Sequence, residues 1–280
     1  MNVGVEVVDQ RFEFPFQNEH FEKLRGLVFE HTGITLGNEK KQLTYSRYSK
    51  RLRALGISDF NDYIDIIRSG DESEIPMFVS AITTNFTSFF RENHHFEFLV
   101  EEVTRLLKTK QSIRIWSAGC SSGEEPYSMA MSLLHAIPGV ETADVRILAT
   151  DLDTEILAKA ARGVYTDERF DGADKQIVTP WIKRGRGDNT GLVLMHPAVR
   201  KMITYRQLNL LGPWPMKSPF DIIFCRNVVI YFSKDVQKTL FNRFSASQQK
   251  GAKLMIGHSE NLAGVCDSYR LIGRTIYEKM

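Results

Sequence analysis

The sequence predicts an all-helical N-terminal domain followed by an α/β domain built on a largely parallel sheet covered on both faces. Three observations carry this. Residues 18–100 read as helical with no strand pattern, whereas from residue 113 short apolar runs alternate with helical segments. The 280 residues leave room for two domains. The apolar runs are continuous rather than alternating, as expected of strands buried on both faces.

The first domain is read as residues 18–90, preceded by a flexible stretch over 1–17. Phe21, Leu24, Val28 and Phe29 recur at helical spacing, Asn18 is placed to cap that helix, and Gly33 and Gly37 punctuate its end. Further helices are expected at 38–55, stopped by Gly56, and at about 59–68 and 73–82. The second domain, 91–280, starts its sheet with IRIWSAG (113–119), and a helix follows over 125–135. VRILATD (145–151) is a second strand, followed by a helix over 153–161. A third strand is expected in 202–211, a fourth in 220–228 with a helix at 233–247, and a fifth in 252–260. RTIYEKM closes the chain with strand character. One segment, 182–196, holds three glycines between two short apolar runs and reads as a hairpin inserted at about 182–200.

Composition excludes several classes. Lys plus Arg is 36 and Asp plus Glu is 34, so a net charge of +2 gives no bulk affinity for nucleic acid or membrane. Cys120, Cys225 and Cys266 are far apart with no CxxC spacing, against a disulfide framework or a structural metal. No basic-then-apolar leader opens the chain and no apolar run is long enough for a membrane span. A cytoplasmic monomer without metal and without membrane insertion is the expectation.

Ligands of parallel sheets bind beyond the carboxyl ends of the strands, and chemistry-bearing residues cluster there. The first strand runs into SAGCSSGEEPYS (117–128), where Gly119 and Gly123 allow a tight turn and close approach of a ligand. The spacing is not GxGxxG, and Glu124 and Glu125 stand where a phosphate would dock, which suits a cationic ligand instead. Acidic residues complementing the helix dipole are the plainer reading of the same pair. Asp151 ends the second strand, where a carboxylate can accept from ribose hydroxyls, and Asp153 reads as a helix cap. Asn209 and Leu210 follow the third strand, and Arg226, Asn227 and Tyr231 follow the fourth. Ahead of the sheet, TTNFTSFFR (83–91) sets Asn85, Thr87 and Arg91 among Phe86, Phe89 and Phe90, which are expected to form a core cluster.

Taken together, TTNFTSFFR, SAGCSSGEEPYS, ILATDLD, QLNLL and CRNVVIYF resemble the CheR family of chemotaxis receptor methyltransferases, in family order and from about residue 20 to the C-terminus. The resemblance implies a Rossmann-like S-adenosylmethionine-dependent methyltransferase domain with a small β-subdomain, behind an all-α domain. It implies S-adenosylmethionine as cofactor, S-adenosylhomocysteine as product, and methyl-accepting chemotaxis receptors as partners. Carried over by motif, Asn85, Thr87, Arg91, Glu124, Asp151, Asn209, Leu210, Arg226 and Asn227 are cofactor contacts, with the choice between Glu124 and Glu125 left open. Arg91 and Tyr231 are candidates for orienting the acceptor carboxylate. Lys40, Arg47, Lys50 and Arg51 form a basic helix face for receptor docking, unless they are simply solvated. Arg184, Gly185, Gly187 and Gly191 mark a hairpin of the peptide-binding kind, able to take a receptor's C-terminal peptide as an added strand; a surface hairpin covering a sheet edge is the alternative.

Rival readings are a methyltransferase acting on a small molecule or another protein, and a non-enzymatic S-adenosylmethionine sensor. The basic helical domain speaks against a small substrate. The presence of both Arg91 and Tyr231 speaks against a sensor. A nicotinamide oxidoreductase lacks its glycine fingerprint.

Overall fold

A computed structural model describes residues 13–83 and 86–280. The chain divides into two compact units between Thr84 and Asn85, ahead of the 90/91 boundary read from the sequence.

The first unit is helical: α1 (Asn18–Thr32), α2 (Lys41–Leu55), α3 (Phe60–Arg68) and α4 (Glu74–Ile82). Its core joins Phe21, Leu24 and Val28 of α1 to Tyr48, Phe60, Tyr63 and Phe78, while Phe29 stands half exposed. The Tyr48 and Phe78 rings stack at 4.8 Å. Asn18 does not cap α1. The cap is Gln17, whose N–H donates to His20 Nδ1 at 3.1 Å, and Asn18 is already the first helical residue. Gly33 and Gly56 end α1 and α2 in the left-handed conformation that only glycine adopts cheaply. The expectation of a flexible stretch over 1–17 falls largely on residues 1–12, outside the described residues; Phe14 and Phe16, just beyond them, are buried.

The second unit opens with α5 (His94–Leu106), a helix the sequence reading did not set out as an element of its own. It continues as β1 (Ser112–Ala118), α6 (Glu124–Ala136), β2 (Asp144–Asp151), α7 (Thr154–Arg162), β3 (Val164–Thr166), α8 (Lys175–Val178), β4 (Ile182–Arg184), β5 (Leu192–Met195) and α9 (Pro197–Lys201). It closes with β6 (Ile203–Gln207), β7 (Phe220–Cys225), α10 (Lys234–Ala246), β8 (Gln248–Ile256), β9 (Tyr269–Gly273) and β10 (Ile276–Lys279). The main sheet has the order β6-β2-β1-β7-β8-β10-β9. Its first five strands are parallel, and β10 is antiparallel to both β8 and β9. The order reverses between β1 and β7, so their carboxyl ends open a crevice at the switch point.

The sheet separates two cores. Ile113, Ile115 and Ile147 face one, with α5 and α6 residues such as Leu99, Val103 and Met129. Trp116, Ile223 and Leu254 face the other, with Leu240, Phe241 and Phe244 of α10. All six residues of β7 are buried, which is why FDIIFC reads as one apolar run.

The third and fourth strands are shorter than expected. The third stops at Gln207 because Asn209 Oδ1 accepts the Leu211 N–H at 2.9 Å and turns the chain. The fourth stops at Cys225 because Asn227 takes φ 59°. The glycine-spaced segment does form a hairpin, β4 and β5, but β3 joins it, giving a three-stranded antiparallel sheet of order β3-β5-β4.

Candidate active site

Five chain segments meet at the carboxyl ends of the parallel strands. The turn after β1 is forced tight, since the N–H groups of Gly119 and Cys120 both donate to Thr150 O, at 2.8 and 2.9 Å. Gly119 has φ 88°, and a side chain there would lie 2.5 Å from Val228 Cγ2. Gly123, at φ 96°, would strike Ala160 and the Tyr165 hydroxyl. Both glycines are thus required by packing, Gly119 against the turn after β7 and Gly123 against α7 and β3. Cys120 is buried and burial pushes its thiol pKa well up, so it serves as a small filler and not as a nucleophile.

The two carboxylates that open α6 both point inward but to different partners. Glu124 is fully buried, accepts from Ser122 Oγ at 2.6 Å and pairs with Arg169. Arg169 also donates to Thr87 O at 2.9 Å, which ties the segment after Asn85 to the glycine turn. Glu125 accepts from Ser117 Oγ at 2.7 Å and from Arg226 Nη1 at 3.0 Å. Burial raises its pKa against the opposing pull of Arg226.

Asp151 ends β2 as expected. Its carboxylate accepts the Ser121 N–H at 2.8 Å and the Asp153 N–H at 3.1 Å. Burial pushes its pKa up to about 6 in spite of those bonds. Asp153 caps α7 by accepting from Glu155 and Ile156 N–H. Leu208 N–H donates to Asp151 O at 2.9 Å, so the Asn209–Leu210 turn starts beside Asp151.

The turn after β7 is the most heavily braced. Arg226 is buried, with its guanidinium 5.6 Å from the Phe96 ring centre. Besides Glu125 it meets Glu92 Oε2 at 3.3 Å and donates to Arg91 O. Arg226 Nε, Glu92 Oε2 and His95 Nδ1 are nevertheless buried without a hydrogen bond among the described residues. Burial first, then the Arg226 charge, holds His95 neutral with a pKa of about 3. Tyr231 closes a short 3-10 turn, is about a third exposed (36%), and is held from behind by Gln237, which donates to Val229 O and Phe232 O.

Ahead of the sheet, Phe89 packs on Tyr165 and Phe170, with ring centres 5.0 and 4.2 Å away. Phe86 does not join a core cluster, being 79% exposed, with the Arg91 guanidinium 5.9 Å from its ring. Arg91 also donates to Phe86 O at 3.3 Å. Asn85 lies outside the described residues.

The remaining expected residues are placed elsewhere. On α2, Lys40 precedes the helix and is exposed, as is Lys50. Arg47 donates to Ala81 O and Thr83 O, at 2.9 and 3.1 Å, and so caps α4. Arg51 forms a two-bond pair with Glu74 inside the helical unit, which neutralises its charge there. In the small sheet, Arg184 Nε meets Asp167 Oδ2 at 3.2 Å. Gly185 has no room for a side chain, because Asn189 O would lie 2.1 Å from it. Gly187 and Gly191 take φ 61° and 83°.

Sequence reasoning missed Arg169, Glu92 and Glu260. Glu260 follows β8 and was findable by the rule that found the others, a polar residue just past a strand. Arg169 and Glu92 sit off strand ends, where no local pattern marks them.

The strand order and the acidic, glycine-backed crevice define an S-adenosylmethionine-dependent methyltransferase. The model of the CheR methyltransferase SAM-binding domain matches residues 85–277, and that of the CheR all-alpha domain matches 19–83. The chain belongs to the CheR methyltransferase family. It is 40% identical to chemotaxis protein methyltransferase 2 of Pseudomonas aeruginosa over 95% of this chain and 94% of that protein. It is 37% identical to the Escherichia coli chemotaxis protein methyltransferase over 92% of this chain and 90% of that one.

The residues present fit the cofactor. Its ammonium and sulfonium charges suit a crevice lined by Asp151, which no cation pairs among the described ion pairs, and by Glu124 and Glu125, held by Arg169 and Arg226. When bound, it supplies an electrophilic methyl group on a sulfonium.

Proposed function

We propose that the protein transfers a methyl group from S-adenosylmethionine to glutamate side chains in the cytoplasmic helical region of a bacterial chemoreceptor, forming glutamyl methyl esters. The observation that carries this is similarity over nearly the whole chain, helical unit included, to proteins named chemotaxis protein methyltransferases. The chemistry of the site supports it. A glutamate has a pKa of about 4.3 and is ionised at neutral pH, so no general base is needed. The buried groups nearest to such a role are already engaged. Glu124 and Glu125 are paired with arginines, and His95 is buried and hydrogen-bonded to Thr275 through Nε2. Catalysis then rests on alignment.

In this reading Asp151 accepts from the ribose hydroxyls. Glu124 takes the ammonium in exchange for Arg169. Asn85, Thr87, Asn209, Leu210, Arg226 and Asn227 complete the cofactor contacts. Arg91 and Tyr231 orient the acceptor carboxylate. Lys40 and Lys50, with Arg47 beside them, offer positive charge to a glutamate-rich receptor helix, whereas Arg51 is spent on Glu74. The β4 edge is the place for a receptor's C-terminal peptide. Lys183 pairs across to Leu194 and Gly185 N–H bonds Leu192 O, so the backbone groups of Ile182 and Arg184 face outward and can pair with an added strand.

The test is transfer of labelled methyl from S-adenosylmethionine to receptor-containing membranes, followed by mild base. Base-labile label on the receptor is the expected result. Cofactor binding with no transfer to any receptor of the same organism would overturn the reading in favour of a sensor.

A further inference from the structure

The turn after β7 carries Arg226, Asn227 and Tyr231, yet its own backbone is in an unfavourable state. Asn227 sits at φ 59°, and three successive N–H groups, of Asn227, Val228 and Val229, point away from the strand ladder. Backbone donors buried this way need an acceptor. One side chain supplies it. Glu260 Oε2 accepts from Asn227 N at 3.0 Å and Gly257 N at 2.5 Å, and Oε1 accepts from Val228 N and Val229 N, both at 3.0 Å. The side chain is buried, and no cation pairs with it among the described ion pairs. The carboxylate is therefore held entirely by backbone N–H groups, a charge-assisted nest.

The surroundings close on the same point. A side chain on Gly257 would lie 2.6 Å from Asn227 Nδ2 and 2.9 Å from Glu260 Oε2, so the β8 turn approaches the β7 turn as closely as glycine allows. Val228, whose N–H Glu260 holds, is the residue against which Gly119 packs without room for a methyl group. Displacing Glu260 would thus move the turn after β7 and, through Val228, the turn after β1.

We infer that Glu260 is a positioning residue, which locks the turns after β7 and β8 together and so fixes Asn227 and Tyr231 for cofactor binding and transfer. The inference rests on the S-adenosylmethionine site and not on the identity of the receptor. Binding of S-adenosylhomocysteine reads it without any methyl acceptor, so failure of the receptor reading and failure of this one are distinguishable.

Glu260→Gln keeps the size of the side chain but turns an NH2 group toward two of the four donors. The full-length variant should bind S-adenosylhomocysteine about tenfold more weakly and turn over about ten- to a hundredfold more slowly. The control is Glu102→Gln, a carboxylate equally buried in an ion pair with Lys253 of β8. It should lower the melting temperature while leaving affinity and kcat within about twofold. If Glu260→Gln does not fold, Gly257→Ala presses on the same contact and should lower kcat in the same way. Wild-type affinity and kcat in a folded Glu260→Gln, or in Gly257→Ala where the former is unfolded, would overturn the proposal. So would equal kinetic losses in Glu102→Gln.

Discussion

The two units each bury a glutamate against an arginine, and they use the pair differently. In the helical unit Glu74 accepts from Arg51 at 2.9 and 2.7 Å and from the Tyr63 hydroxyl at 2.9 Å, joining α2, α3 and α4. In the methyltransferase unit Arg226 is shared among Glu125, Glu92 and Arg91 O, and three buried polar atoms around it lack a hydrogen bond. The first network is saturated and serves the fold. The second has the more deeply buried arginine but is incompletely satisfied, which is costly in a fold and useful in a site that must accept a polar ligand. Equal chemistry thus separates into structure and function by how fully its bonds are used.

Removing each arginine separates the two roles most strongly. Arg226→Met should lower kcat/KM by about a hundredfold or more, since it frees Glu125 and releases Arg91 O beside the site. Arg51→Met should leave kcat per folded molecule unchanged but cost about 3–5 kcal/mol of stability, because Glu74 stays buried without its cation. Chemical denaturation and steady-state kinetics on both variants check the pair of outcomes.

Next in size are the orienting residues. Arg91→Gln and Tyr231→Phe should each lower kcat by about tenfold to a hundredfold with S-adenosylhomocysteine affinity nearly unchanged for Tyr231→Phe, which isothermal titration resolves. Unchanged turnover in both would remove them from the mechanism.

A smaller effect concerns Asp151. Its pKa of about 6 in the free protein means that the carboxylate is mostly ionised at pH 7 and becomes protonated as pH falls through 6. The ligand-binding form is the ionised one, so cofactor affinity should be flat above about pH 7 and weaken by up to tenfold per unit below 6. In Asp151→Asn that dependence should vanish along with part of the affinity. Because folding raises this pKa, protonation favours the native state, and the group's unfavourable contribution to stability is relieved on acidification from about 6 toward the unfolded value.

The smallest expected change is at the helical unit. Lys40→Glu with Lys50→Glu should raise KM for receptor a few-fold, more at low salt than at high salt, with kcat for saturating receptor unaltered.

Much of this was legible before the structure. The alternation after residue 113 named the central strands because β1 and β7 are buried on both faces, and the polar residues just past the strands, Glu124, Asp151 and Arg226, do converge on one crevice, whereas the short, exposed β3 and β9 were not read. What was not legible depends on partners far along the chain. Nothing local in the basic α2 sequence says that Arg51 reaches Glu74 or that Arg47 caps α4. Phe86 looked like a core residue because apolar clustering says nothing of orientation in a segment that is neither helix nor strand. The third strand looked longer because LNLL is apolar, and only the Asn209 turn ends it. Glu260 was passed over because the fifth strand was read through to residue 260, which hid that Glu260 lies in the turn past β8.

In the proposed function this crevice delivers a methyl group to a glutamate carboxylate of a receptor. Tandem mass spectrometry of a receptor cytoplasmic fragment, incubated with the protein and S-adenosylmethionine, tests it most directly. The expected result is methyl on glutamate side chains of the receptor helices, lost after mild base and absent with Arg226→Met. Methyl on lysine, arginine or another base-stable position, or on no receptor residue while a small molecule is methylated, would contradict it.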